Sequence, residues 1–142
     1  MKYDKLMRSG RAGIYAAPRI VGPLRAAAER AGLDWLDLDL AGVGDRDAFL
    51  QRCATVFPFP AYYGRNWDAL HECLLDVAGR GGPGAIVHWR RGSELAQRAP
   101  EALTTALEVL QDAAAFWGSS GRTFLVVVDR DSARGRALRP LR

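Results

Sequence analysis

The chain reads as an α/β domain built on a parallel sheet, and three observations carry that expectation. Short β-favouring runs alternate with longer helical patterns, and strands separated by helices imply right-handed crossovers between parallel neighbours. The run "FLVVV" at 124–128 is apolar at every position, which suits a strand buried on both faces. With 142 residues, 49% hydrophobic and 25% charged, the chain can close one core without disulfide staples. Three strands packed with helices make the expected sheet, or four if the N-terminal strand joins it.

The elements follow in order. "AGIYAAP" at 12–18 contains Ile14 and Tyr15 and stops at Pro18, the pattern of an edge strand. An alanine-rich helix starts near Pro23 and closes at Gly32, the usual placement of those two residues. "DWLDLDLAG" at 34–42 alternates Trp35 or Leu36, Leu38 and Leu40 with Asp37 and Asp39, the period of two of a strand. Asp45 or Asp47 opens the next helix, with Phe49, Leu50 and Cys53 on one face, and Pro58 and Pro60 end it. A further helix spans about 66–77, followed by the glycine-rich break "AGRGGPG". "AIVHWR" at 85–90 is a second core strand. Pro100 begins a long helix with Leu103, Leu107, Leu110 and Ala114 inward and Gly118 beyond its end. Three parts result: a strand–helix extension at 1–33, the main domain at 34–129, and a basic flexible tail at 130–142.

The net charge is +4, but residues 1–13 carry +3 and 130–142 carry +4, which leaves −3 on 14–129. The ends are basic and the body is mildly acidic. Termini of this kind are usually frayed and solvated, although an arginine-rich tail can also touch RNA. Cys53 and Cys73 make neither a disulfide framework nor a zinc spacing, and a reduced compartment is the simpler setting. No apolar run resembles a signal peptide or a membrane span.

The stretch "FPFPAYYGRNWDALHECLLDV" at 57–77 is the most informative. At about 100° per residue Trp67, Leu70, Leu74 and Val77 form the buried side of a helix, and Asp68, Glu72 and Asp76 lie roughly opposite. Like charges four apart repel by a few tenths of a kcal/mol, and Asp76 stands near the helix end, where the dipole opposes an anion. Helix stability therefore does not explain the stripe. In the long helix Glu101, Glu108 and Asp112 share a side. If the two helices are neighbours, their acids could merge into one concave anionic surface; the alternative is two solvated faces. The prolines stiffen the preceding loop, Gly64 can supply a positive φ, and Asn66 suits the helix cap. Of Tyr62 and Tyr63, one is expected to pack inward and the other to be displayed beside the acids.

The residues give an enzyme little support. His71 and Cys73 are two apart on a helix and point different ways. His88 lies within a strand, as a core or edge residue. Ser119 and Ser120 lack an adjacent base, and the carboxylates lack a glycine-rich phosphate loop.

At this point "FPAYYGRNWDALHECL" resembles the signature of the barstar-like family, intracellular inhibitors of ribonucleases, and the similarity runs from about residue 36 to 129. The resemblance implies a non-enzymatic, cofactor-free protein in the cytoplasm that plugs the catalytic cleft of a basic ribonuclease with carboxylates. By the same resemblance Tyr62 matches an aromatic that stacks on a catalytic histidine. Asp68 matches the first inhibitory aspartate, Glu72 falls at the central aspartate, Asp112 at a glutamate, and Gly64 and Asn66 at the turn and helix start. Tyr63 and Asp76 complete the expected partner-binding set. Glu72 is one methylene longer than the family's aspartate, His71 replaces an aromatic, and "VAGRGGPG" stands where a tryptophan is usual. The expectation is a monomer that binds one nuclease, with no role for a membrane or nucleic acid. The other reading is a domain of the same fold that serves another protein or, through its arginine-rich tail, a nucleic acid.

Overall fold

A computed structural model describes residues 2–60, 63–78, 82–133 and 136–141. Helix α1 (Asp4–Met7) leads into strand β1 (Ala12–Ala16), helix α2 (Gly22–Arg30) and strand β2 (Asp34–Asp39). Helices α3 (Arg46–Val56) and α4 (Trp67–Ala78) precede β3 (Gly84–Arg90), and α5 (Ser93–Arg98) and α6 (Pro100–Ser119) precede β4 (Thr123–Val128). The strands form one sheet in the order β1-β4-β3-β2, with every neighbouring pair parallel. The N-terminal strand thus joins the sheet, on the edge beside β4.

Chain direction explains the layers. From β1 the chain crosses to the far edge, then returns through β3 to β4. Right-handed crossovers running in opposite directions place their helices on opposite faces of a sheet. Accordingly Leu6 and Met7 of α1 and Leu24, Ala27 and Ala28 of α2 bury against Ile86, Leu125 and Val127. On the other face Phe49, Leu50, Leu70, Leu74, Leu103 and Leu110 bury against Val87, Trp89 and Val126. Successive residues of β3 and β4 therefore enter different cores, which is why these strands are apolar without alternation. At Gly84 (φ +139) an added Cβ would lie 1.9 Å from the Thr123 carbonyl oxygen, so only glycine lets β3 begin this close to β4.

Two short helices, α1 and α5, carry too little periodicity to be expected from sequence. The tail departs from the expected free segment. Residues Arg130–Ala133 form a single 3-10 turn with Ser132 and Ala133 buried, and the Ser132 hydroxyl accepts from the Gly92 amide at 2.7 Å. Further on, the Ala16 amide donates to the Arg139 carbonyl at 2.7 Å, Pro140 bridges Ala16, and Leu141 is only 8% exposed in the core under α2. Two apolar side chains, Ala133 and Leu141, and an unpaired edge on β1 tie the segment down against the loss of chain entropy. Among the described residues no helix is long and apolar enough to cross a membrane.

Candidate functional site

The site begins where α3 ends. Phe57 takes extended geometry (φ −91, ψ 148), as the residue before a proline must, and its buried ring stacks on Phe59 at 5.2 Å. Phe59 in turn contacts the Tyr63 ring at 4.8 Å. The Tyr63 amide donates to the Pro60 carbonyl at 3.1 Å, and its phenol donates to the Leu50 carbonyl in α3 at 3.3 Å. Burial pushes that phenol well above the usual tyrosine range, and the neighbouring thiols of Cys53 and Cys73 add to the shift. Tyr63 is therefore the inward tyrosine, half-buried and hydrogen-bonded. Tyr62 lies outside the described residues.

The turn into α4 corrects one expectation. The positive φ falls on Arg65 (φ 52) and not on Gly64, and a Cβ at Gly64 would meet Asn66 and Ala69 at 3.4 and 3.6 Å, ordinary contact. A non-glycine residue in this region costs of order 1 kcal/mol and persists when its surroundings hold it; here Arg65 Nη1 donates to Gln51 Oε1 at 2.6 Å. Asn66 caps α4 as expected, its Oδ1 accepting from the Ala69 amide at 2.8 Å. Behind the cap, Trp67 leans on Phe49 with ring centroids 5.9 Å apart.

This fixed entry sets the faces of α4. Leu70, Cys73 and Leu74 are buried, and Asp68, Glu72 and Asp76 are exposed. Among the described residues neither Asp68 nor Glu72 has a cation within ion-pair distance. Tyr63, Gly64, Ala69, Glu72, Cys73 and Asp76 line one cleft of about 250 Å³. Ala69 and Cys73 complete it and were missed from sequence, although 69, 72, 73 and 76 make one helical stripe. The buried Cys53 thiol is held above its usual range by desolvation.

Helix α4 packs against α6, and Trp117 Nε1 donates to the Leu74 carbonyl at 3.3 Å. The two helices are neighbours, but among the described residues their acids line different grooves. Asp112 and Glu108 line a separate groove of about 540 Å³, together with Ile14 and Arg136. The reason is rotation: burying Ala106, Leu110, Ala113 and Trp117 turns Asp112 away from the cleft beside Tyr63.

The other candidate groups are accounted for. His71 is half-exposed while Cys73 is buried, so they face apart. His88 Nε2 lies 2.9 Å from Asp129 Oδ1. No cluster of three or more metal-ligating side chains occurs among the described residues.

Fold and site together define a class: a four-stranded, all-parallel α/β domain with an acidic, rigidly capped helix exposed beside an aromatic loop. The Barstar (barnase inhibitor) family matches residues 33–129, about two thirds of the chain, and the chain belongs to that family, one of inhibitors and not of enzymes. No curated protein matches it. Strand β1 and helices α1 and α2 fall outside the matched stretch, as does everything after Asp129.

Proposed function

We propose that the chain is an inhibitor of a basic ribonuclease, laying α4 and the loop before it into the enzyme's catalytic cleft. The observation that carries this reading is the pair Asp68 and Glu72, exposed and, among the described residues, without an internal cation, on a helix whose entry is pinned at Asn66, Arg65 and Tyr63. Carboxylates spaced along a rigid face stand in for substrate phosphates. Their mutual repulsion in the free protein is relieved when arginines and lysines of the enzyme surround them. The body's charge of −3 on 14–129 speeds the encounter with a cationic partner, an effect for which barnase and barstar are themselves the standard illustration. Glu72, with its longer side chain at the edge of the cleft with Tyr63 and Gly64, reaches deeper than an aspartate and suits an enzyme whose phosphate site is correspondingly recessed. Tyr62 supplies the stacking ring, and Tyr63, Gly64, Asn66 and Asp76 frame the contact. Asp112, on its own groove, adds a contact only to a partner wide enough to cross α6. Such an inhibitor acts as a monomer in the cytoplasm, where it keeps a nuclease harmless before export.

The test is inhibition of a barnase-type ribonuclease by the purified chain, with association followed by stopped flow at several salt concentrations. The expected result is stoichiometric inhibition with an association rate that falls as salt rises. Parent-like inhibition by both Asp68→Ala and Glu72→Ala would sink the reading.

A further inference from the structure

The carboxyl ends of β1, β4 and β3 open onto a further concavity, a crevice of about 610 Å³ lined by Arg19, Val21, His88, Asp129, Arg130 and Asp131, among others. In open α/β sheets ligands settle outside the carboxyl ends of the strands, where successive connections leave to opposite faces. That condition holds here. The connection from β1 leaves with α2 on one face and the connection from β3 leaves with α5 and α6 on the other, with β4 between. Arg19, Val21, Arg130 and Asp131 lie outside residues 33–129, so this crevice is an addition to the family domain. The volume falls in the range of small-molecule pockets, about 300–1,000 Å³.

The lining groups have distinct roles. His88 is locked by its contact with Asp129 at 2.9 Å and by the edge of Trp35 at 5.7 Å, which occupies the Asp129 carboxylate. Arg19 and Arg130 are exposed and have no acidic partner among the described residues. Helix α2 starts at the rim with Val21 as its cap; no side chain caps its first turn and no acid sits there. Two guanidinium groups and the uncapped amides of Gly22 and Leu24, on either side of Pro23, favour a phosphate, while Asp131, exposed in the same lining, can accept from hydroxyls, as an acid near a nucleotide's ribose commonly does. In the same loop Ile20 is 72% exposed and offers an apolar surface next to the charges.

We propose that this crevice binds a nucleoside monophosphate, with the phosphate between Arg19, Arg130 and the start of α2, the ribose toward Asp131 and the base against Ile20. The proposal does not depend on the inhibitor reading, because no residue of α4 takes part. Adenosine monophosphate titrated into the isotope-labelled full chain at low salt, followed by amide chemical shifts, tests it. Saturable shifts are expected at 17–22, 88 and 129–131, with affinity falling about tenfold or more in Arg19→Ala and in Arg130→Ala, since each removes a charge-assisted contact. Both side chains are exposed, so both variants should keep the parent's melting temperature and its ribonuclease inhibition. The proposal is overturned if adenosine binds as well as its phosphate, if shifts map to α4 instead, if the two variants bind like the parent, or if nothing saturates at millimolar concentration. Inorganic phosphate binding equally tightly would overturn the nucleoside part.

Discussion

Asp37 and Asp39 at the end of β2 and Asp68 and Glu72 on α4 are alike in chemistry and opposite in circumstance. In the parallel register Asp37 faces His88 and Asp39 faces Arg90. Arg90 donates to both oxygens of Asp37 at 2.6 and 2.8 Å, and Arg91 donates to both oxygens of Asp39. The Arg91 hydrogen bond chiefly holds the Asp39 carboxyl down to about 2, and the Arg90 hydrogen bond chiefly lowers that of Asp37. Among the described residues Asp68 and Glu72 have no such neighbours, since neither α4 nor α6, which packs on it, contains a lysine or arginine. Carboxylates are structural where Arg90 and Arg91 stand beside them, and on α4 Asp68 and Glu72 are the acids that the proposed inhibitor reading assigns to a partner.

The largest effect expected on that contrast is on binding. A hydrogen bond to a charged group contributes roughly 1.5–3 kcal/mol, so Asp68→Ala or Glu72→Ala should weaken inhibition roughly ten- to hundredfold, seen as slower association and faster release, with the folded state retained. Asn66→Ala comes next: losing the cap costs about 1 kcal/mol and should lower the melting temperature by about 3 °C in thermal unfolding, while loosening the presentation of both acids. Asp39→Asn should cost up to about 1 kcal/mol at neutral pH, discounted because its partner Arg91 is well exposed. Since the Asp39 carboxyl lies below its ordinary 3.8 in the folded chain, this contribution is present above about pH 4 and is lost as pH falls toward 2. Urea unfolding of parent and variant should therefore converge in acid. The smallest effect has the opposite sign: Glu72→Gln removes repulsion from Asp68 and Asp76 and should stabilise the free protein by a few tenths of a kcal/mol, measured by the same unfolding experiment. If Glu72→Gln destabilised as much as Asp39→Asn, the two sets of acids would not differ as argued.

Much of this was legible residue by residue. The buried face of α4, its Asn66 cap and its exposed acids follow from helical spacing and from the chemistry of one side chain, both local. The turn before it was half legible. A glycine marked it, but the left-handed residue is Arg65, held by Gln51 from α3, a contact between elements that no local pattern encodes. Asp112 and Glu108 share a helical spacing and one groove, which the rotation of α6 that suits its own core sets apart from the cleft beside α4.

Alternation, apolar runs, caps and breakers determined by themselves that this chain makes helices and parallel strands and shows an acidic face on α4, because those signals act within a turn or two of backbone. Only the tertiary structure decided that β1 lies beside β4, that β3 ends where Arg90 and the following Arg91 claim the acids of β2, and that the basic tail is anchored by Leu141 under α2. Each of these joins segments distant in sequence, and their pairing is selected by how whole faces fit once the core has closed.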